Sequence, residues 1–447
     1  MKVTKVHIKD FHQFQDLYIN LTYPKGHKKA GKPLDKVCII GQSGTGKTTL
    51  LKIIGGYTYT LKKLFEEFSP SELKNTRVFR KLNDIEMEIK VTYNEEDSRN
   101  AYTWVEQTLG GEDVQFENVV NLYKQQRDEI RTQFIYFPAD LRYEWSEGQG
   151  NNLLTKKVID FRKDNINDVW EIILADIQKH QEIELGLRQE IGKVAEESDD
   201  LKKIQKAVRK LETWKRQEFN PVNAIADKCL DPLLKHFGLK VKRELNFEKK
   251  EDIGSIHIED FLGNEIPYSL WSTGTKQVVL SAMPLYLLEP KETLILYDEP
   301  ERSLYPNMQR LVIDYYTSLT KNCQFFFATH SPIIASSFEP WEIVELKLGN
   351  DGFVYQDLYY PKDKERHVDN YTIIPSYLDY DLMLTKVFDL KETHSHVRSE
   401  KITEVLALRN QLKKLASQNK QKTPNGKKLY ESYKKLAEQL AWDFDII

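Results

Sequence analysis

The stretch Gly41-Gln42-Ser43-Gly44-Thr45-Gly46-Lys47-Thr48 constrains this chain more than any other. It follows the apolar run Val37-Cys38-Ile39-Ile40 and precedes Thr49-Leu50-Leu51-Lys52-Ile53-Ile54, which reads as the opening of a helix. A strand, a glycine loop and a helix N-terminus in that order form a phosphate cradle. The glycines let the backbone turn tightly enough for successive N–H groups to point at one anion, and the helix dipole adds positive potential. Residues Gly41 to Thr49 are therefore the expected nucleotide contacts. Lys47 is expected to reach the β- and γ-phosphates, and the Thr48 hydroxyl to ligate a magnesium ion.

A chain of 447 residues holds two or three ordinary domains, or one large domain with an insertion. Hydrophobic content of 40% supports a real core, and charged content of 30% implies much solvated helix surface. The formal net charge of -3 decides nothing about nucleic acid, so any basic surface must be local. Cys38, Cys229 and Cys323 are far apart and form no metal-ligand pair; buried thiols in a reducing compartment are expected. No apolar run reaches the length of a membrane span and no signal peptide opens the sequence, so a soluble, cytoplasmic protein is expected.

Residues 1–21 alternate like two strands around Asp10-Phe11-His12-Gln13-Phe14, and residues 22–36 read as a loop. Residues 62–82 read as helical and basic, Ile85–Val91 and Ala101–Thr108 as strands, and Gln133–Phe137 as a buried strand before Pro138. From Asn152 to Asn220 glycine is scarce and proline absent. Apolar residues there approximate two helical stripes, Ile172, Ile173, Ile177, Ile183 and Leu187, then Leu201, Ile204, Val208 and Leu211. A helical hairpin is expected, with the cluster Glu196-Glu197-Ser198-Asp199-Asp200 as tip and cap. Pro221–Phe237 continues as a helix, and Lys240–Phe247 and Ser255–Phe261 read as paired strands. Helices are expected at Val278–Leu288 and Met308–Leu319. Near the end, Glu342–Leu346 and Gly352–Leu358 are expected to pair at a sheet edge. Tyr377–Phe388 reads as helical, and 399–418 with 427–442 as a second antiparallel helix pair joined by Pro424-Asn425-Gly426.

Thr293-Leu294-Ile295-Leu296-Tyr297 is a buried strand ending in Asp298-Glu299-Pro300, and Gln324–Ala328 is another, ending near His330. An aspartate ending a strand beside a phosphate loop holds magnesium through water, and the next glutamate polarises the attacking water. Asp298 is thus the second expected metal ligand, with Glu299, His330 and Lys47 as catalytic candidates.

With these motifs assembled, a family resemblance emerges. Ser272-Thr273-Gly274-Thr275-Lys276-Gln277 looks like the signature motif of ABC-type ATPases, and Glu301-Arg302-Ser303-Leu304-Tyr305-Pro306 looks like their D-loop. Ala328-Thr329-His330-Ser331-Pro332 resembles the switch-histidine segment. The set resembles the SMC, RecF and OLD branch of the superfamily rather than the transporters. Val6-His7-Ile8-Lys9-Asp10-Phe11 is similar to the first strand of RecF-like proteins, and the interval before the signature is long. The resemblance covers residues 1–60, 130–145 and 237–345. It implies an α/β ABC-type P-loop ATPase head with a helical-hairpin insertion and a helical C-terminal tail. The corresponding division is 1–151 for the N-terminal lobe, 152–236 for the insertion, 237–346 for the C-terminal lobe and 347–447 for the tail.

The resemblance also implies ATP and Mg2+ as cofactors, and a homodimer in which Ser272 and Gly274 of one head meet the nucleotide held by another. Where the family carries a magnesium-touching glutamine, this sequence offers Asp140, in Phe137-Pro138-Ala139-Asp140. Three outputs stay open: DNA engagement in repair or anti-phage defence, ATP-gated control of a separate effector such as a nuclease (the arrangement of Septu-like and retron-associated systems), and a transporter subunit, which the long insertion disfavours. An intrinsic nuclease built on Asp379 and Asp381 is not favoured, nor a metal site at His394 and His396. The lysines at 413, 414, 420, 422, 427 and 428 read as a solvated helix face rather than a phosphate-binding one.

Overall fold

A computed structural model of the chain describes residues 2–59, 68, 70–73, 76–82, 85–90, 106–109, 112–115, 132–141, 153–197, 200–243, 256–358, 366–367, 374–388, 390, 395–418, 420 and 423–441. They fall into two units, Met1–Leu378 and Asp379–Ile447. Strand expectations at 101–105, 244–247 and Ser255, the helix expected over 62–67, the tip residues Ser198 and Asp199, His394 and Lys422 lie outside the described residues.

The first unit carries a mixed 11-stranded sheet. Its strands begin with β1 (Lys2–Phe11), β2 (Phe14–Asn20), β3 (Lys36–Gly41), β4 (Thr76–Leu82) and β5 (Ile85–Lys90). A separate ribbon pairs β6 (Glu106–Leu109) with β7 (Glu112–Gln115). The main sheet resumes with β8 (Phe134–Phe137) and β9 (Val158–Asp160), and a second ribbon pairs β10 (Leu239–Val241) with β11 (Ile258–Asp260). Then come β12 (Leu294–Asp298), β13 (Gln324–Ala328), β14 (Ile343–Leu348) and β15 (Val354–Asp357), giving the order β5-β4-β1-β2-β15-β14-β3-β13-β12-β8-β9.

From β14 to β9 every neighbour is parallel. Such strands are covered on both faces, and this is why β3, β8, β12 and β13 read as unbroken apolar runs. Their interior residues are buried. β1, β2, β4 and β5 pair antiparallel, and β1 alternates accordingly, with Val3, Val6 and Ile8 inside and Lys5 and His7 towards solvent.

Helix α1 (Lys47–Tyr59) follows β3, and the hairpin helices are α2 (Asn167–Glu197) and α3 (Leu201–Gln217). Asp200 caps α3 by accepting the Lys202 N–H. The two stripes differ from those expected. Ile173 and Ile177 are buried, but Ile183 is 45% exposed while Gln181 and Glu184 are buried instead. In α3 Leu201 is 71% exposed and only Ala207 is buried. Glu184 explains the shift, because it accepts from Arg188 and from Lys215 across the hairpin, both at 2.8 Å. A polar seam has replaced the outer part of an apolar one. Helices α4 (Thr273–Leu288) and α5 (Pro306–Ser318) flank β12 in sequence.

Three further expectations need correction. The helix expected over 62–82 gives way to a short helix, Pro70–Leu73, and then to β4, whose period-two pattern buries Thr76 and Val78 between β1 and β5. β14 and β15 do pair, but inside the sheet, because β14 also pairs with β3 and β15 with β2. β9, within the stretch assigned to the insertion, extends the main sheet beyond β8.

In the second unit, α6 (His396–Ser417) and α7 (Pro424–Gln439) pack through Val405 and Leu412 against Tyr433, Leu436 and Leu440. Pro424-Asn425-Gly426 is the first turn of α7 rather than a linker. Thr423 caps that turn through the Gly426 N–H, and proline suits the first helical position because it needs no donor.

Candidate functional site

Parallel strands deliver their C-terminal ends to one edge of the sheet, where ligands of such folds bind. β3 ends at Gly41, β12 at Asp298 and β13 at Ala328, with Asp298 level with Ala328 and Ala328 level with Ile39. Lys47, at the start of α1, is buried; its Nζ donates to the carbonyls of Gly41 at 2.9 Å and Gln42 at 3.1 Å, and lies 3.4 Å from His330 Nδ1. Thr48 Oγ1 donates to Asp298 Oδ2 at 2.8 Å. Lys47, Thr48, Asp298 and His330 therefore meet around the loop, with Glu299 adjacent to Asp298. Gln42, Ser43, Gly44 and Thr48 are exposed, while Thr45 is buried and holds the turn through the Gln42 carbonyl.

Burial sets the electrostatics. It lowers the Lys47 ammonium to about 8, against the pull of Asp298, Glu299 and Glu301. Burial raises the Asp298 carboxyl, partly offset by the Thr48 hydrogen bond, and it lowers His330, helped by the Lys47 charge. A paired hydroxyl and carboxylate supply the hard oxygen donors that magnesium prefers, so Thr48 and Asp298 fit that ion.

Glu299 sits in the left-handed region with φ 49, and its N–H bonds the Ala328 carbonyl at 2.8 Å. Ser272, exposed, caps α4 by accepting the Thr275 N–H at 3.0 Å and forms no hydrogen bond with the phosphate loop. Gly274 is buried; a Cβ there would lie 2.5 Å from the Ser303 carbonyl oxygen, so only glycine permits this approach. Asp140 follows β8 at the same sheet edge, with Oδ1 3.7 Å from Arg302 Nη1. Gln133, at the opposite end of β8, is out of reach of that edge.

Three neighbours of the site escaped the sequence reading. Tyr136, buried in β8, points its hydroxyl at Asp298 Oδ2 across 3.4 Å. Gln13, in the β1–β2 turn, lies against the loop: a Cβ on Gly46, whose φ is 81, would meet Gln13 Nε2 at 2.1 Å. Glu301 accepts the His330 backbone N–H at 2.9 Å. No local pattern marks the first two, since a turn and a strand distant in sequence bring them in; the third was legible as an acid in the segment after Asp298, though not its partner.

A glycine loop between strand and helix, with an acidic strand end beside it, defines a P-loop nucleotide-binding domain. The chain belongs to the AAA ATPase domain family, whose model matches residues 1–335. Among solved structures it is similar to an Smc head bound to the C-terminal winged-helix domain of ScpA, at 13% identity over 80% of this chain and 98% of that one, TM-score 0.45. It is also similar to a Pyrococcus furiosus Smc head with an extended coiled coil, bound to the C-terminal domain of ScpA (15% identity, 80% and 96% coverage, TM-score 0.41). A third is the SMC head domain from Thermotoga maritima (13% identity, 80% and 98% coverage, TM-score 0.39). No curated protein matches the chain. Among the described residues, no helix is long and apolar enough to cross a membrane.

Proposed function

We propose that this chain binds ATP with magnesium and hydrolyses it, and that the cycle closes and opens a dimer of heads. The observation that carries this is the meeting of Lys47, Thr48, Asp298 and His330 at adjacent strand ends. On binding, Lys47 exchanges the carbonyls of Gly41 and Gln42 for phosphate oxygens. Glu299, half-buried beside Asp298, orients and polarises the attacking water, and His330 donates to the γ-phosphate. Magnesium, held by Thr48 and Asp298, would neutralise phosphate charge. Asp140 takes the part that a glutamine has in related heads.

One chain carries each motif once. Ser272 and Gly274 of a second copy would complete the site, because the N-terminus of α4 offers N–H groups and positive potential to a phosphate. Leu270 and Tyr305, each 72% exposed beside the signature and the D-loop, suit a surface that a second head covers. Closure would move the α2–α3 hairpin and the tail of one head relative to the other's. We favour control of DNA engagement or of a separate effector, such as a nuclease in repair or anti-phage defence, with a scaffold that touches no DNA as the alternative.

The test is Glu299→Gln. It should bind ATP, hydrolyse it at least about tenfold more slowly and accumulate as a closed dimer; unchanged turnover would remove Glu299 from its role. Stimulation of hydrolysis by DNA separates the first output from the scaffold.

A further inference from the structure

The segment Thr329-His330-Ser331 is tied to the D-loop at both ends. Glu301 accepts the His330 backbone N–H at 2.9 Å and also a hydrogen bond from the Thr329 hydroxyl. That hydroxyl in turn accepts the Ser331 N–H at 2.9 Å. At the other end, Ser331 Oγ donates to Gln309 Oε1 at 2.5 Å, and Gln309 Nε2 donates to the Leu304 carbonyl at 2.9 Å. Between these two fasteners lies Ser303, held at φ 62, whose carbonyl is the one that Gly274 abuts. A continuous series of contacts therefore runs from the signature helix α4 through the D-loop to the switch histidine of the same chain.

We propose that Glu301 and Gln309 are positioning residues that fasten His330 to the D-loop, so that His330 follows any displacement of Ser303 against the signature helix. The proposal rests on the reading of His330 as a γ-phosphate contact. Plain satisfaction of polar groups explains the arrangement less well. His330 is exposed, and water could serve its N–H. Glu301 instead keeps its second oxygen, Oε2, buried and without a hydrogen-bond partner among the described residues. Two left-handed non-glycine residues, Glu299 and Ser303, also bracket it, and such backbone persists only where its surroundings over-determine it. In a dimer, α4 faces the partner's nucleotide while His330 faces its own chain's, so this linkage would let occupancy of one site set the histidine of the other.

The test is a mutant cycle on the full chain, reading kcat and the affinity for an ATP analogue separately. His330→Ala and Glu301→Ala should each lower kcat about tenfold or more, with affinity within about threefold of wild type. Combined, they should lose less than about twofold beyond His330→Ala, because the second change then has nothing left to misplace. Glu301→Gln keeps the accepting oxygen and should restore kcat to within about threefold. Gln309→Ala should repeat the pattern of Glu301→Ala, and it carries the test if Glu301→Ala fails to fold. Multiplicative losses in the double variant, or full turnover in Glu301→Ala, overturn this inference and leave the role of His330 standing. Full turnover in His330→Ala removes both.

Discussion

Gln324 gives the sharpest energetic prediction, because it lies fully buried and spends its whole side chain on backbone. Its Oε1 accepts the Val3 N–H at 2.7 Å, and its Nε2 donates to the carbonyls of Val3 at 2.9 Å and Leu34 at 3.0 Å. The register of β1 with β2 runs from Phe11 back to Lys5, so Val3 has no strand partner on that side. The amide takes the place of a missing strand residue. Gln324→Leu strips three buried backbone groups of their partners, each costing about 1–3 kcal/mol. Burying the leucine returns about 1.5–3 kcal/mol. With mid-range values for both terms the net loss should be about 4 kcal/mol, read as a lower urea midpoint by fluorescence of the tryptophans in the first unit. Amide exchange at Val3 should accelerate in parallel. A loss below about 0.5 kcal/mol would refute the assignment of those bonds as essential.

The other predictions concern the site and the tail. Phosphate charge must raise the Lys47 ammonium above its ligand-free value of about 8, so binding of a non-hydrolysable ATP analogue takes up a proton above that pH. Affinity should fall by up to about tenfold per unit between pH 8 and 10. Calorimetry in two buffers of different ionisation enthalpy checks this, and an absence of proton uptake at pH 9 would count against it. Mixing Ser272→Arg with Lys47→Ala protein should restore part of the ATPase through one composite site per heterodimer; mixtures that associate yet never exceed their inactive parents would dismiss the trans arrangement. Deleting residues 399–447, which form most of the second unit, should leave hydrolysis within about threefold of wild type while abolishing biological activity. Purified protein with magnesium or manganese should not cut DNA, and cleavage that vanishes on Asp379→Ala or Asp381→Ala would restore the nuclease reading.

What could be read from the sequence was what short-range physics fixes. The strand, glycine loop and helix from Val37 to Ile54, the apolar strands ending at Asp298 and Ala328, and the Asp200 cap all carry their signals within a few residues. The errors arose where a distant partner decides. Thr76–Leu82 became a strand because β1 and β5 flank it. Ile183 turned outward because Glu184 found Lys215 across the hairpin. Gln13 reached the loop, and Tyr136 reached Asp298, only through the order of the strands, which no local pattern encodes. Glu342–Leu346 looked like an edge strand because nothing in its own residues names β3 as its neighbour.

That pairing of β3 has a consequence during synthesis. The strand that carries the phosphate loop is flanked by β13 and β14, with Lys36 against Phe325 and Cys38 against Ile343. The β1–β2 hairpin forms from neighbouring residues, but β3 must wait for almost the whole first unit to leave the ribosome. Contacts this far apart in sequence form slowly, and an apolar strand left unpaired in the interval invites wrong partners. A chain that stops before Ile343 would not be a smaller version of the head. It would display Val37 to Ile40 along an open parallel edge, a surface ready to take up whatever strand arrives first.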